Sequence, residues 1–588
     1  MVQGSLNGTI KDPVSEVPAE DGKSSNPFSI DLCLVGFLCL LEILTFAPFL
    51  RRVGFYLDDW LMLQTLHFGP QDLFGAFSNY FFNDPKVIIR PVEVLHFAPM
   101  YFAFGLRPLG YHLVNGVLEI LCVCLLYAAL KRFTESRLMA FLAVVAFVIY
   151  PIHDCTHYWI LCSSVTLSAA LYLASLLASM KASIDGKPYF HGLAALAFTF
   201  SIYNYEVFLP FALVTALCIF FMARRSVSFN QSLQQAGFSF LPLFVSGVSL
   251  FAYQRYLVPH LGLGFVHKVN LDPLHLLHVL FSGIFVSSPF NVVPFLQSRL
   301  ALRVAEPFSA VEILSLVTIF AGLSFLTFRL MQKESFTDKL TDKPVRAFEL
   351  AVIGVATTVF SIGIFALSSE FEPTLMTMVN RIFSGAAIGW GCIFAALVFL
   401  LTRFLAGRQI AKALLAVCLS FACVYFTVAN WSLAQPWVVS QTAQTGVSYV
   451  VKQQKGKIHH PDIIMLADYP RYVMWSPVFD GVWDFQSMVR LTLDDAKIGA
   501  GVVSDRLCVG KTELKDVSMG YTCGVYPYEH LKILVPGDKA LMPARSGREF
   551  IGIIEKLSGH SQLSDDTLVK WRQQLADVEA ERQKDTEK

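Results

Sequence analysis

Eleven runs of about twenty predominantly apolar residues, separated by short charged segments, dominate this chain. Each approaches the length an α-helix needs to cross a hydrocarbon core of about 30 Å at 1.5 Å per residue. Lipid offers the backbone no hydrogen-bond partners, so such a chain must satisfy its peptide groups inside helices. The runs cover 29–50 and, approximately, 111–130, 138–152, 159–180, 190–204, 207–223, 237–257, 308–328, 347–368, 382–402 and 410–431. Composition agrees: 54% hydrophobic residues, 15% charged residues and a mean hydropathy of +0.53 exclude a soluble multidomain protein. The expected fold class is mainly α, a polytopic transmembrane helical bundle of about 11–13 spans. The net charge of +1 supports no nucleic-acid partner.

Charge along the chain sets the expected orientation. Lys131-Arg132 with Arg137, Lys181 with Lys187, Arg224-Arg225, the 329–346 segment, and Arg403 with Arg408 and Lys412 fall between alternate spans, which the positive-inside rule assigns to the cytoplasm. The N-terminus then lies inside and the C-terminal part outside. Residues 1–28 are polar, with no basic segment ahead of the first run, and read as a disordered cytoplasmic tail rather than a cleavable signal. Residues 274–296 are apolar enough to span, but one extra crossing would invert the basic 333–346 segment. They are expected as a re-entrant or interfacial element in an outer loop over 258–305; a helical pair preserves the polarity equally well.

Three regions follow: the tail 1–28, a transmembrane domain 29–435 with a large first outer loop 51–110, and an extracytoplasmic α/β domain 436–588. The first loop is broken at Gly69-Pro70, Asp84-Pro85, Arg90-Pro91 and Arg107-Pro108, and its aromatics are spaced as on interfacial helices. In the last region charge rises, strand-like runs occur at 463–466, 489–493, 507–509 and 531–535, and helical patterns at 440–454 and 567–582. Cys508 and Cys523 lie in this polar region and are expected to form a disulfide in an oxidising compartment. The other ten cysteines lie in or beside apolar runs, as packing residues. The aromatic residues around Trp475 and Trp483 read first as core. His459-His460 with Asp462 is a lone polar cluster on a loop.

This topology gathers the notable polar residues on one face. Asp58 and Asp59, His153 and Asp154, and Glu206 all fall at outer helix ends, together with Arg90, Lys268, Arg299, Arg303 and Arg381. Converging carboxylates and cations suit a lipid-phosphate substrate, the cations holding the phosphate while a carboxylate takes a proton from an attacking hydroxyl. Plainer readings exist for each: an N-cap pair for Asp58 and Asp59, a snorkelling interfacial residue for Arg90, hydrogen-bonded structural groups for His153 and Glu206. Glu42 sits inside the first run, costly in lipid unless it faces protein or water. Acidic and histidine groups on such a face can hold a divalent ion, although no tight ligand spacing demands one.

An ordered series of motifs resembles the GT-C superfamily of membrane glycosyltransferases, in particular the protein O-mannosyltransferase and TMTC-like branch and its bacterial relatives. It consists of Leu57-Asp58-Asp59-Trp60 after the first span, Arg90-Pro91, the 104–115 segment leading into the second span, Tyr150-Pro151-Ile152-His153-Asp154 with Trp159, and Asn204-Tyr205-Glu206 ahead of Phe208-Leu209-Pro210. Asn380-Arg381-Ile382 is similar to a late Glu-Arg-Tyr of that branch. There are departures: Cys155 follows Asp154 where an acid is frequent, Tyr205-Glu206 stands for Lys-Glu, Glu119 stands where histidine is common, and no tetratricopeptide repeats follow.

The resemblance implies a hexosyl- or pentosyltransferase that takes sugar from a polyprenyl-phosphate donor and transfers it, with inversion, to an acceptor hydroxyl of a glycan, lipid or protein on the extracytoplasmic face; the missing repeats favour a bacterial inner membrane. Asp58 or Asp59 is then the expected general base, with Asp154 and Glu206 as further catalytic candidates. Arg381 and Arg90, with Lys268 and Arg299 behind them, are expected to meet the leaving phosphate, and His153 the acceptor. Two competing classes make different demands. A transporter needs ionisable groups near the bilayer midplane, often in repeated halves, whereas only Glu42 and Glu119 lie well inside spans. A lipid-linked glycan ligase or polymerase calls for an arginine-rich late outer loop rather than an early Asp-Asp loop.

Overall fold

The computed structural model describes residues 27–261, 270–304, 307–336, 343–367, 373–375, 378–518, 521–557 and 563–586; the expected tail 1–28 lies almost wholly outside them. Among the described residues, nine helices are long and apolar enough to cross a membrane, and ten if one bent pair counts as a single span. This is a multi-pass integral membrane protein.

The first spanning helix, α1 (Pro27–Phe46), leads into four short helices that build the 51–110 segment: α2 (Asp58–His67), α3 (Leu73–Asn83), α4 (Pro85–Ile89) and α5 (Val92–Phe104). Asp72 and Asp84 start α3 and α4 as N-caps, accepting from Gly75 N and Lys86 N. The bundle continues through α6 (Pro108–Thr134), α7 (Arg137–Ile149), α8 (Asp154–Tyr158), α9 (Ser163–Asp185), α10 (Tyr189–Asn204), α11 (Phe211–Arg224) and α12 (Phe229–Ala252). After the single turn α13 (Val258–His260) come α14 (Pro273–Ser287), α15 (Pro289–Val304), α16 (Ala310–Phe336), α17 (Lys343–Ala366), α18 (Ser384–Phe404) and α19 (Gln409–Gln453).

All eleven expected runs are helical, but two are shorter than a span. Helix α7 has 13 residues and α10 has 16, about 20 and 24 Å at 1.5 Å per residue. Both are wedged among longer helices, with nine residues of α7 buried. The 274–296 segment is a helical pair, α14 and α15, bent by 54°. Close packing of α17 on α18 depends on glycine: a Cβ on Gly389 would stand 2.5 Å from the Gly354 carbonyl.

The basic residues expected at one end do meet there. Arg137 and Lys131 hold Asp31, and Arg225 and Arg346 share Glu135, with Glu349 on Arg225.

Helix α19 runs unbroken for 45 residues through Pro436 and carries the chain from the bundle into the C-terminal region, where its Val447, Val450 and Val451 pack with Ile464 and Leu466. A four-stranded sheet has the order β4-β1-β8-β9, from β1 (Ile463–Leu466), β4 (Gly499–Val502), β8 (Leu531–Val535) and β9 (Ala540–Pro543); β1 is parallel to β4 and β8. A hairpin pairs β2 (Tyr472–Val473) with β3 (Ser476–Pro477), and a meander joins β5 (Leu507–Val509), β6 (Glu513–Ser518) and β7 (Tyr521–Pro527). The strand expected at 489–493 is instead the end of helix α20 (Val482–Leu493), whose Phe485, Met488 and Val489 are buried at helical spacing. Helices α21 (Gly547–Leu557) and α22 (Asp565–Thr586) complete the region, with Phe550 and Trp571 in its core.

Cys508 and Cys523 are both free thiols, which corrects the expected disulfide. Cys508 lies on β5 and Cys523 on β7, with β6 between them. Two strand spacings, about 9.5 Å, exceed the roughly 7 Å limit between bridged Cα atoms.

Two of the contacts between this region and the bundle bear on the site. Helix α20 packs on α2, placing Leu491 in the core of the 51–110 segment. Trp475, at the β2–β3 turn, is buried among residues of the bundle core.

Candidate active site

The chain enters α2 through a strained residue. Leu57 is buried and held at φ +48°, ψ −118°, a region that side chains other than glycine rarely adopt. Just before it, Gly54 touches α19 so closely that a Cβ would overlap Gln441, and its carbonyl lies 3.1 Å from His112 Nε2. Tyr56 donates through its hydroxyl to the Trp437 carbonyl at 2.7 Å. The turn is fixed from several sides before the two aspartates begin.

The aspartates diverge. Asp59 is 0% exposed and accepts from Tyr56 N and Leu161 N, each at 2.9 Å. It pins the α2 start to the turn before α9. Burial pushes its carboxyl up to about 8 against those donors, and the charge of Asp58 adds to the rise. The Asp58 side chain is 23% exposed and accepts from Lys86 Nζ at 2.5 Å. Burial works against the charge on Lys86, but Asp58 and Asp84 override it and hold the ammonium above its ordinary range.

Beside this pair, Arg90 makes a two-pronged contact with Glu206: Nε donates to Oε2 at 2.8 Å and Nη2 to Oε1 at 2.6 Å. Its guanidinium also covers the Tyr205 ring at 4.0 Å. The Tyr205 hydroxyl in turn accepts from Arg381 Nε at 2.9 Å, and Arg381 stacks over Trp159 at 5.5 Å. Arg381 is near enough to push against the charge on Lys86. Asp58, Lys86, Arg90, Tyr205, Glu206 and Arg381 therefore form one polar group at the end of the bundle beneath α2. Glu93 is buried behind it, and burial lifts its carboxyl to about 8, with Arg90 pulling the other way.

Asp154 is adjacent but differently used. It is 3% exposed and accepts from Trp437 Nε1 at 2.7 Å, from Trp475 Nε1 at 3.2 Å and from Asn380 Nδ2. One carboxylate thus ties α8, α19, the β2–β3 turn and the 3₁₀ turn that carries Arg381. Its two oxygens accept three hydrogen bonds, which fits an anchor, where the sequence suggested a reacting acid. Arg299 leans on Phe295, Trp475 and Met474. His153 is 4% exposed and lines an internal cavity with Glu42 and Glu119 instead of the cleft. His112 and Asn115 bond Gly54 O and Thr156 O, a structural use. Lys268 and the side chain of Arg303 lie outside the described residues. Asp462 is bonded to Lys532 and His459 N, which gives that loop a structural explanation.

Lys86 is the residue that sequence reasoning missed. The Asp84-Pro85 step was visible as a break, and Asp-Pro is also the signature of an N-capped helix start. Such a start presents Lys86 in the first turn of α4, opposite the neighbouring helix end.

The fold and this group of residues define a multi-pass membrane protein with a cluster of charged and aromatic side chains at one end of its bundle. No family model matches the chain. A 91-residue stretch is 33% identical to the protein O-mannosyl-transferase Tmtc1 of Drosophila melanogaster, taking in 14% of this chain and 11% of that protein. Among solved structures, the chain is similar to ArnT from Cupriavidus metallidurans bound to undecaprenyl phosphate, with 13% identity over 80% of this chain and 85% of that one, at a TM-score of 0.35. It is also similar to the Archaeoglobus fulgidus oligosaccharyltransferase tethered with an acceptor peptide, with 12% identity over 81% of this chain and 64% of that one, at a TM-score of 0.39.

Proposed function

We propose that this protein is a GT-C-type membrane glycosyltransferase that moves a sugar from a polyprenyl-phosphate donor to an acceptor hydroxyl on the extracytoplasmic face, with Asp58 as general base. The observation that carries the reading is the division of labour in the Asp pair. Asp59 is consumed by backbone donors, while Asp58 reaches solvent paired with Lys86, whose ammonium Arg381 approaches in turn. The order of motifs and the local likeness to an O-mannosyl-transferase point the same way. The basic helix ends at the opposite side of the bundle favour an extracytoplasmic cleft.

In this reading the lipid phosphate enters between Lys86 and Arg381. Lys86 exchanges Asp58 for a phosphate oxygen, which frees the carboxylate. The acceptor oxygen attacks the anomeric carbon and gives its proton to Asp58, while the bond from that carbon to the phosphate oxygen breaks and leaves its electron pair on the phosphate. Growing negative charge on the leaving group is met by fixed cations, which need no reorganisation at that moment. Arg90 is held by Glu206 and acts by shaping the Tyr205 platform beneath Arg381.

The test is transfer from labelled polyprenyl-phosphate sugars to candidate acceptors by purified protein in detergent. Asp58→Asn should lose about 10²–10⁴-fold in turnover, the usual worth of a general base, with folding retained. Full turnover in Asp58→Asn would overturn the assignment of the base; passage of a labelled solute into liposomes without sugar transfer would overturn the transferase reading.

A further inference from the structure

A second polar cluster lies inside the bundle, apart from the cleft. Glu42 of α1, Glu119 of α6 and His157 of α8 each bring one ligand atom to within 4.8 Å of the others, and all three are buried. Helices far apart in sequence deliver them, so the convergence is a property of the packing. His157 Nδ1 stands 2.6 Å from Glu119 Oε1, Asn115 Nδ2 donates to the same oxygen at 3.2 Å, and Phe46 stacks on the imidazole at 3.6 Å. The ring is clamped. With Nδ1 turned to Glu119, Nε2 is the nitrogen left to ligate, the arrangement in which a carboxylate orients a metal-bound histidine.

Three atoms here are buried and have no hydrogen-bond partner: Glu42 Oε1, His157 Nε2 and His153 Nε2. They belong to side chains lining one cavity of about 40 Å³, which Glu119, Thr156 and Thr166 also line. A water needs roughly 10–15 Å³ of such space, so the cavity admits a cation with one or two waters. No lysine or arginine lines it. Two carboxylates in a low-dielectric interior without a cation are costly, and a divalent ion balances them charge for charge. An imidazole beside carboxylates favours a borderline cation over the purely oxygen-seeking Mg²⁺.

We propose that Glu42, Glu119 and His157 form a buried zinc-class metal site, with His153 at its edge, that fastens α8 to α1 and α6. Helix α8 begins at Asp154, so the ion would fix the anchor beside the cleft from behind without touching substrate. The site is independent of the transferase reading.

The experiment strips the full-length purified protein with chelator and dialyses it against ⁶⁵Zn²⁺, with Mg²⁺ in excess. Wild type should retain one equivalent per chain, and its unfolding temperature should rise on loading. Glu42→Gln with Glu119→Gln should bind at least ~10-fold more weakly and lose that rise. Asp58→Asn and His459→Ala should retain zinc to the same extent as wild type, which separates this site from the Asp58 group and from the surface histidines. Absence of retained zinc in wild type, or equal retention in the double variant, overturns the proposal. Should the double variant fail to fold, X-ray absorption of zinc-loaded wild type decides: a shell of oxygen with one or two imidazole nitrogens supports the site, and a sulfur-containing shell overturns it.

Discussion

Substitution of Asp154 separates an anchor from a catalyst, because the two roles respond oppositely to alanine and asparagine. Alanine removes the acceptor of two indole N–H groups and one amide N–H. Orphaned buried donors cost about 1–3 kcal/mol each, so Asp154→Ala should destabilise by roughly 3–9 kcal/mol, toward the lower end where water fills the gap. Asparagine can keep the geometry. Its Oδ1 accepts from Trp437 and Trp475, and a flip of Asn380 lets the Asn380 Oδ1, which has no hydrogen-bond partner, accept from the new amide. Loss of the charge-assisted part costs about 1–2 kcal/mol, offset in part by relief from burying a carboxylate. Denaturant titration in detergent, followed by tryptophan fluorescence, measures both variants, with sugar transfer assayed in parallel. The anchor reading requires Asp154→Asn to stay within about tenfold of wild-type turnover, since no general acid or base is removed. A fall of about 10³-fold in Asp154→Asn at unchanged stability would refute it and make Asp154 a reacting group.

Further outcomes follow from the same geometry. Arg90→Lys should weaken transfer although charge is kept, because an ammonium cannot reproduce the two-pronged bond to Glu206 and the stacking on Tyr205; a cycle with Glu206→Gln should show non-additive losses in turnover. Lys86→Met should raise the donor KM, and an unchanged KM would remove Lys86 from phosphate binding. The Glu93 carboxyl titrates near 8 when folded and near 4.3 when unfolded, so its contribution to stability is complete below about pH 4 and is lost as pH rises through 8. Unfolding midpoints measured at pH 5, 7 and 9 should fall in wild type and fall less steeply in Glu93→Gln, the remaining slope coming from Asp59. Under non-reducing conditions, mass spectrometry after maleimide treatment should find Cys508 and Cys523 unlinked; a 508–523 bridged peptide would contradict the β5-β6-β7 order.

Membrane insertion depends on free energy summed over some twenty consecutive residues, so the amino-acid sequence alone determined the helical runs, the alternation of basic ends and the existence of a polar first loop. It also determined much of the cleft's membership, because an ion such as Asp58, Arg90, Glu206 or Arg381 at the end of an apolar run must sit where water or a partner reaches it. The use made of each residue was decided elsewhere. Asp58 and Asp59 are neighbours in sequence, and only the packing of Leu161 against the α2 start consumes one and leaves the other available. Arg90 meets Glu206 across 116 residues and Asp154 meets Trp475 across 321. The same holds for Lys86 against Asp58, for the strand that separates Cys508 from Cys523, and for the meeting of Glu42, Glu119 and His157. Local pattern records which side chains must avoid lipid; which partners they find there is set by the three-dimensional packing of segments that no local pattern connects.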